Sequence, residues 1–101
     1  SKNDLSFFDN EIYKNVKRGL TQVGAKILHW KGSNLEQINN RVYLVSNYTR
    51  TSINRTKSIF NVSLYRLLDG YKSFTLTLSY DTKMKNYMLS KIKEIAQSIN
   101  Y

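Results

Sequence analysis

The sequence predicts an α+β domain in which an antiparallel sheet of about four strands packs against an N-terminal and a C-terminal helix, in the order α-β-β-β-β-α. Apolar residues recur at helical spacing near both ends of the chain, and at a spacing of two between them. An Asp-Gly pair separates two of the strand-like runs, as in a tight hairpin. No helical segment lies between the strands to provide a parallel crossover, so we expect an antiparallel sheet.

The first helix is predicted over roughly residues 10–23, with Asp9 or Asn10 as its N-cap and Gly24 as its C-terminal stop. Its apolar side chains recur at spacings of four and three: Ile12, Val16, Leu20 and Val23. Residues 1–8 are predicted to be irregular, and the whole chain, 1–101, to form a single domain.

A short apolar run at residues 25–30 (AKILHW) predicts the first strand. Residues 31–34 (KGSN) are all turn formers, so the strand is predicted to end there. Residues 35–40 are compatible with either a short helical turn or an irregular loop.

From Arg41 to Thr51 the apolar residues alternate with a period of two, which predicts the second strand. Residues 52–56 supply the reversal. The next run, 59–68, has apolar residues on both faces, which is typical of a central strand covered on both sides.

Asp69-Gly70 is predicted to form a two-residue type I′ loop. Both central positions of such a turn need positive φ, which an Asp-Gly pair tolerates. The strand that follows, through Tyr80, alternates Leu with Thr or Ser, so one face packs on the core and the other is polar. Asp81 or Thr82 then caps a final helix. Its apolar stripe needs a partner surface and consists of Met84, Met88, Ile92, Ile95 and Ile99.

Composition narrows the classes of function. With 101 residues, of which 41% are hydrophobic, the chain can bury one core, and its net charge of +9 suits a nucleic acid, an anionic membrane surface or an acidic protein. No apolar run approaches the roughly 18 residues of a membrane span. The basic residues are interspersed with acidic ones, as on a solvated surface.

Catalytic chemistry finds little support in the sequence. His29 is the only histidine and there is no cysteine, which excludes multi-histidine metal cages and thiol nucleophiles. The seven carboxylates form none of the close sequence pairs typical of metal-dependent phosphoryl transfer or glycoside hydrolysis, and the four glycines form no phosphate-binding loop. We therefore predict a protein that is not an enzyme and has no metal or cofactor.

One cluster is a candidate contact site for an anion or a partner protein. It surrounds the predicted reversal after the second strand and consists of Tyr48, Arg50, Arg55 and Lys57. Arginine and lysine contact phosphates or carboxylates, and tyrosine stacks on bases. The alternative interpretation is a charged, solvated hairpin tip. The lysines of the closing helix are similarly open to two interpretations, a membrane-surface helix or the solvated side of a helix that covers the sheet.

Three segments carry a resemblance to a known family: residues 48–51 (YTRT), 64–80 (LYRLLDGYKSFTLTLSY) and 92–99 (IKEIAQSI). Together they resemble the C-terminal half of Mog1/PsbP-like domains, over about half the chain. The resemblance implies an antiparallel sheet between helices and a non-catalytic, exported domain, because bacterial members are often small secreted proteins or lipoproteins. This sequence has no lipid-bearing cysteine, and the family has no shared catalytic motif to carry over.

Two hypotheses follow. The first is an exported domain, periplasmic, secreted or at the cell surface, that acts in protein interaction or in a structural role. The second is a cytosolic nucleic-acid-binding domain that uses Arg50, Arg55 and Lys57. The sequence does not identify the partner or an oligomeric state.

Overall fold

A computed structural model describes residues 2–53, 58–68 and 75–98 of the chain. It contains one four-stranded antiparallel sheet in the order β1-β2-β3-β4, so the predicted α+β fold with element order α-β-β-β-β-α is confirmed. The elements are α1 Lys2–Gln22, β1 Ile27–Ile38, β2 Arg41–Thr51, β3 Ile59–Leu67, β4 Thr75–Asp81, a 3₁₀ turn Thr82–Met84 and α2 Lys85–Gln97.

Helix α1 begins earlier than predicted. It starts at Lys2, so residues 2–8 are helical rather than irregular, and Asp9 lies inside the helix rather than at its N-cap. The carboxylate of Asp9 instead accepts hydrogen bonds from side chains of β1. These partners are distant in sequence, so local sequence patterns do not reveal them. The predicted stop at Gly24 is confirmed. This residue has φ +78°, and the Ala25 amide closes the helix by donating to the Leu20 carbonyl at 2.9 Å.

Strand β1 continues through the turn formers that were predicted to end it. A bulge between Trp30 and Gly32 leaves Lys31 as an extra residue, and Gly32 adopts φ +105° there. The chain reverses at Asn39 and Asn40 instead, with φ values of 51° and 64°. These two residues therefore form a primed hairpin turn, where the sequence predicted a helical turn or an irregular loop.

Strands β2 and β3 lie where the sequence predicted them. β2 has the predicted bounds, and β3 ends one residue early and occupies a central position between β2 and β4. The predicted loop at Asp69-Gly70 lies outside the described residues. An uninterrupted two-residue loop there would set Arg66 opposite Ser73, whereas Arg66 pairs with Thr75. This two-position difference leaves every side chain on its predicted face.

Each face of the sheet is covered by one helix. On the face toward α2, Ile92 joins a buried cluster with residues of β2 and β3: Tyr43, Val45, Tyr65 and Leu67. On the face toward α1, the buried residues include Leu44, Tyr48 and Val62 of the sheet and Ile12 of the helix. Half-buried Leu76, Leu78 and Tyr80 of β4 extend the α2-side core.

The apolar stripe predicted on the last helix is only partly covered. Ile92 is buried and Met88 is half-buried, but Met84 and Ile95 are 48% and 38% exposed. Ile99 lies outside the described residues. Asp81 provides the predicted cap, since its carboxylate accepts from the Lys83 amide at 2.9 Å.

Candidate binding cleft

Tyr48, the aromatic member of the predicted contact cluster, lies inside the molecule. Its side chain is 6% exposed, and its ring stacks on that of Trp30 with centroids 5.2 Å apart and planes 20° apart. Burial raises the pKa of the Tyr48 hydroxyl, and the nearby charge of Arg50 partly opposes that rise. The ring thus packs the sheet face under α1 and presents no free surface to a nucleic-acid base.

Arg50 lies two residues further along β2 and on the same face of the sheet. Its guanidinium lies 4.9 Å from the ring centroid of Phe60 and donates a hydrogen bond of 3.0 Å to the Thr51 carbonyl. Arg55 and Lys57 lie outside the described residues. The structure therefore brings together two of the four predicted residues, and both make contacts within the chain.

A group of four residues, here called the polar latch, fastens α1 to the sheet: Asp9, Trp30, Ser33 and Ser46. Asp9 Oδ1 accepts from Trp30 Nε1 at 3.0 Å and from Ser33 Oγ at 2.5 Å. The hydroxyls of Ser33 and Ser46 lie 2.6 Å apart, and Ser46 is completely buried. Tyr13 packs edge-on against Trp30 at 5.3 Å. With its polar groups satisfied and its aromatic rings packed, this region serves to hold the fold together.

The opposite face of the sheet contains an open cleft of about 350 Å³ between the four strands, with β4 contributing Tyr80, and helix α2. The helix contributes Lys85, Leu89 and Ile92 to its wall. Amides and a hydroxyl come from the strands: Asn34, Asn47, Asn61 and Ser63. The cleft thus combines an apolar helix wall with a polar sheet floor, the mixture typical of binding sites.

Hydrogen bonds hold two of these amides in fixed orientations. Ser63 Oγ donates to Asn47 Oδ1 at 2.8 Å, across the β2–β3 pair. Asn61 Nδ2 donates to Thr82 Oγ1 at 3.1 Å, which ties the floor to the start of the helical segment. Because both side chains are positioned before any ligand arrives, little rotamer entropy is lost on binding.

The charged residues at the cleft are mostly basic. Lys31 and Lys85 line it together with one acidic residue, Glu36. Burial, followed by the charge of Glu36, raises the pKa of Tyr65, and burial raises that of Tyr80. Both phenols therefore stay protonated at neutral pH and are able to donate hydrogen bonds into the cleft.

The described part of the chain holds no group of three or more His, Cys, Asp and Glu side chains that would bind a metal ion. His29, the only histidine, is exposed on the edge strand β1. Among the described residues, no helix combines the length and apolar character needed to cross a membrane.

Comparison with known proteins gives no relative: no family model, no curated protein and no solved structure matches this chain. The resemblance to Mog1/PsbP-like domains therefore stays a prediction.

The cleft was not predicted from the sequence, although a signal for it was present. Asn47, Asn61 and Ser63 interrupt the apolar pattern of two strands in the middle of the sheet. Polar side chains at such positions need partners when buried. Three of them on one face of neighbouring strands indicate a site where that face is not sealed.

Proposed function

We propose that this chain is a non-catalytic, exported domain that binds a partner protein, and that an acidic segment of that partner lies in the cleft under α2. The observation that carries the proposal is the cleft itself, with positioned amides on its floor and an excess of basic residues around it. The Mog1/PsbP-like resemblance supports the exported, non-catalytic part.

A polypeptide suits the chemistry of the cleft floor. Asparagine amides offer both donors and acceptors, so Asn34 and Asn47 match the peptide groups of an extended segment. Tyr65 and Tyr80 add large rings with polar tips, a residue type enriched at protein interfaces. A volume of about 350 Å³ accommodates a few side chains rather than a whole element.

Charge favours an acidic partner. The chain carries a net charge of +9, and lysines 31 and 85 stand at the cleft. Complementary charge accelerates encounter and selects against basic partners, while positioned hydrogen bonds supply much of the specificity. We therefore expect binding that weakens as ionic strength rises.

The test is an NMR titration of the labelled protein with a glutamate-rich peptide and, separately, with a lysine-rich peptide of equal length. The glutamate-rich peptide should shift the amide signals of Asn34, Asn47 and Ser63, and the lysine-rich peptide should not. Lys85→Glu should weaken binding at least about tenfold, since it reverses a charge at the cleft. Lys14→Glu makes the same charge change on the exposed side of α1 and should leave binding almost unchanged.

Two results would contradict the interaction proposal. One is a set of peptide-induced shifts confined to residues outside the cleft, or binding that Lys85→Glu leaves intact. The other is tight, salt-dependent binding of an oligonucleotide that is lost in an Arg50/Arg55/Lys57 alanine triple variant, which would favour the nucleic-acid hypothesis.

Export is tested separately. Fractionation of cells that produce the full-length gene product should place the protein outside the cytoplasm. Recovery in the cytoplasmic fraction alone would overturn this part and leave the cleft proposal standing.

A further inference from the structure

The two edges of the sheet differ in how they are protected against further pairing. The β1 edge carries two irregularities, at Ile27/His29 and at Trp30/Gly32, and an exposed lysine at position 31. Bulges and lysines of this kind prevent another strand from joining a sheet. The β4 edge has neither. Its pairing with β3 runs without interruption from Thr75 to Asp81, and no charged residue or proline lies between Thr75 and Tyr80.

We propose that β4 pairs with β4 of a second copy of this chain, antiparallel about a two-fold axis at Leu78, so that two sheets become one of eight strands. Among the described residues no strand pairs with the outer side of β4. With the axis at Leu78, Thr77 lies opposite Ser79 of the second copy and Thr75 opposite its Asp81. Of the two-fold registers, this one pairs all seven residues of the strand.

The side chains on both faces suit this register. A two-fold axis perpendicular to the sheet keeps each face on its own side, so the half-buried row of Leu76, Leu78 and Tyr80 continues into the same row of the second copy. The exposed row of Thr75, Thr77 and Ser79 continues likewise. Apolar side chains therefore meet apolar ones and hydroxyls meet hydroxyls.

Charges are complementary at the two ends of the joined strands. Arg66 of β3 is exposed and pairs with Thr75 of β4. On its other side, Thr75 lies opposite Asp81 of the second copy. The guanidinium of Arg66 and the carboxylate of the second copy's Asp81 thus lie on either side of Thr75 and on the same face of the sheet. The two-fold axis repeats this arrangement at the other end of the joined strands. No like charges lie directly opposite each other, in spite of the net charge of +9.

A seven-residue strand alone is too small for a stable interface, which needs about 1,200 Å² or more of buried surface. The helix above β4 supplies additional area. Lys85, Leu89 and Ile92 of this helix line the cleft. Met84 and Ile95 do not line the cleft and are 48% and 38% exposed. The proposed two-fold axis places both copies of α2 on the same side of the joined sheet, where the exposed Met84 and Ile95 side chains are available to add apolar contact area.

The first test compares two lysine pairs by sedimentation analysis from micromolar to millimolar concentration. The unmodified chain should form dimers. Thr77→Lys/Ser79→Lys sets lysines opposite each other across the axis and should raise the dimer dissociation constant at least about tenfold. Leu35→Lys/Gln37→Lys adds the same charge to exposed positions of β1 and should dimerise like the unmodified chain. Circular dichroism checks that both variants are folded.

The second test reads the register directly and uses the absence of cysteine from the chain. Mixed Thr77→Cys and Ser79→Cys variants should oxidise mainly to the disulfide-linked heterodimer, because these positions face each other across the axis within disulfide reach. Either variant alone should cross-link several-fold more slowly. A chain that stays monomeric, a dimer unaffected by the Thr77/Ser79 lysines, or equal cross-linking in all three samples would overturn the proposal.

Discussion

The two faces of the sheet differ in how completely the helices cover them. Under α1, the polar latch and the stacked rings of Trp30 and Tyr48 leave polar groups satisfied and side chains closely packed. Under α2, Ile92 is the helix side chain that joins the buried cluster, and beside it lies an open cleft. The α1 side is thus closely packed, whereas the α2 side combines a buried cluster with the open cleft for which we propose a binding role. A substitution on one side should leave the other largely unaffected.

The contrast arises within single strands. In β2, Ser46 faces α1 and is completely buried with its hydroxyl paired, whereas its neighbour Asn47 faces the cleft and is half-buried. Successive residues of a strand point to opposite faces, so adjacent positions are free to serve different requirements.

The largest effect on stability is expected at Trp30, because this residue belongs both to the polar latch and to the aromatic stack with Tyr48. Trp30→Ala removes the stack on Tyr48 and leaves the Asp9 carboxylate without one of its donors, so we expect a loss of about 3–5 kcal/mol in the free energy of unfolding. Chemical denaturation measures it. Trp30→Phe keeps a ring and should recover part of the loss. A smaller loss of unfolding free energy for Trp30→Ala than for Ile92→Ala would contradict the closer packing inferred for the α1 side.

On the α2 side, Ile92→Ala should lower the free energy of unfolding by about 2–3 kcal/mol. This residue is 7% exposed and belongs to the buried cluster, which borders the open cleft. Ile95→Ala is the matched control on the same helix. With 38% of its side chain exposed, it should cost less than about 1 kcal/mol. Equal losses in both variants would show that α2 sits differently from the arrangement described.

The pH dependence sharpens the comparison further. Burial holds the pKa of Tyr48 above its ordinary value of 10.0 in the folded state. The unfolded chain therefore releases this proton first as the pH rises, so the contribution to stability is complete below pH 10 and is lost as the pH rises above it. Tyr48→Phe keeps the stacking ring without the ionisable hydroxyl. Denaturation midpoints measured across this window should fall less steeply for Tyr48→Phe than for the unmodified chain.

The smallest effect is expected for the ion pair on α2. Lys91 Nζ lies 3.6 Å from Glu94 Oε2, and the two side chains are 43% and 67% exposed. Glu94→Gln should therefore change the free energy of unfolding by less than about 0.5 kcal/mol. A loss above about 1 kcal/mol would mean that α2 depends on this pair rather than on Ile92.

Much of the fold was accessible from local pattern. The bounds of β2, the Leu and Thr faces of β4 and the cap at Asp81 all depend on residues close together in sequence. The start of α1 and the length of β1 were mispredicted for a shared reason. Asp9 resembles a cap, but its partners are Trp30 and Ser33, more than 20 residues away.

The predicted contact cluster was misjudged for the same reason, because its environment depends on a residue distant in sequence. Tyr48 and Arg50 have the residue types of a binding surface, but the burial of Tyr48 depends on Trp30 from the neighbouring strand. Composition and spacing do not encode that pairing. Asn47 and Asn61 of the cleft, in contrast, stood out in the sequence as polar positions within predicted strands.

The bulge at Lys31 makes the length of β1 matter more than its composition. Trp30 and Ser33 are three positions apart, yet both face α1 because the extra residue between them restores the alternation. Deletion of that one residue would direct either the indole or the hydroxyl to the wrong side. The packing under α1 therefore depends on the number of residues here, and an insertion or deletion of one residue should be more disruptive to the fold than a substitution at Lys31.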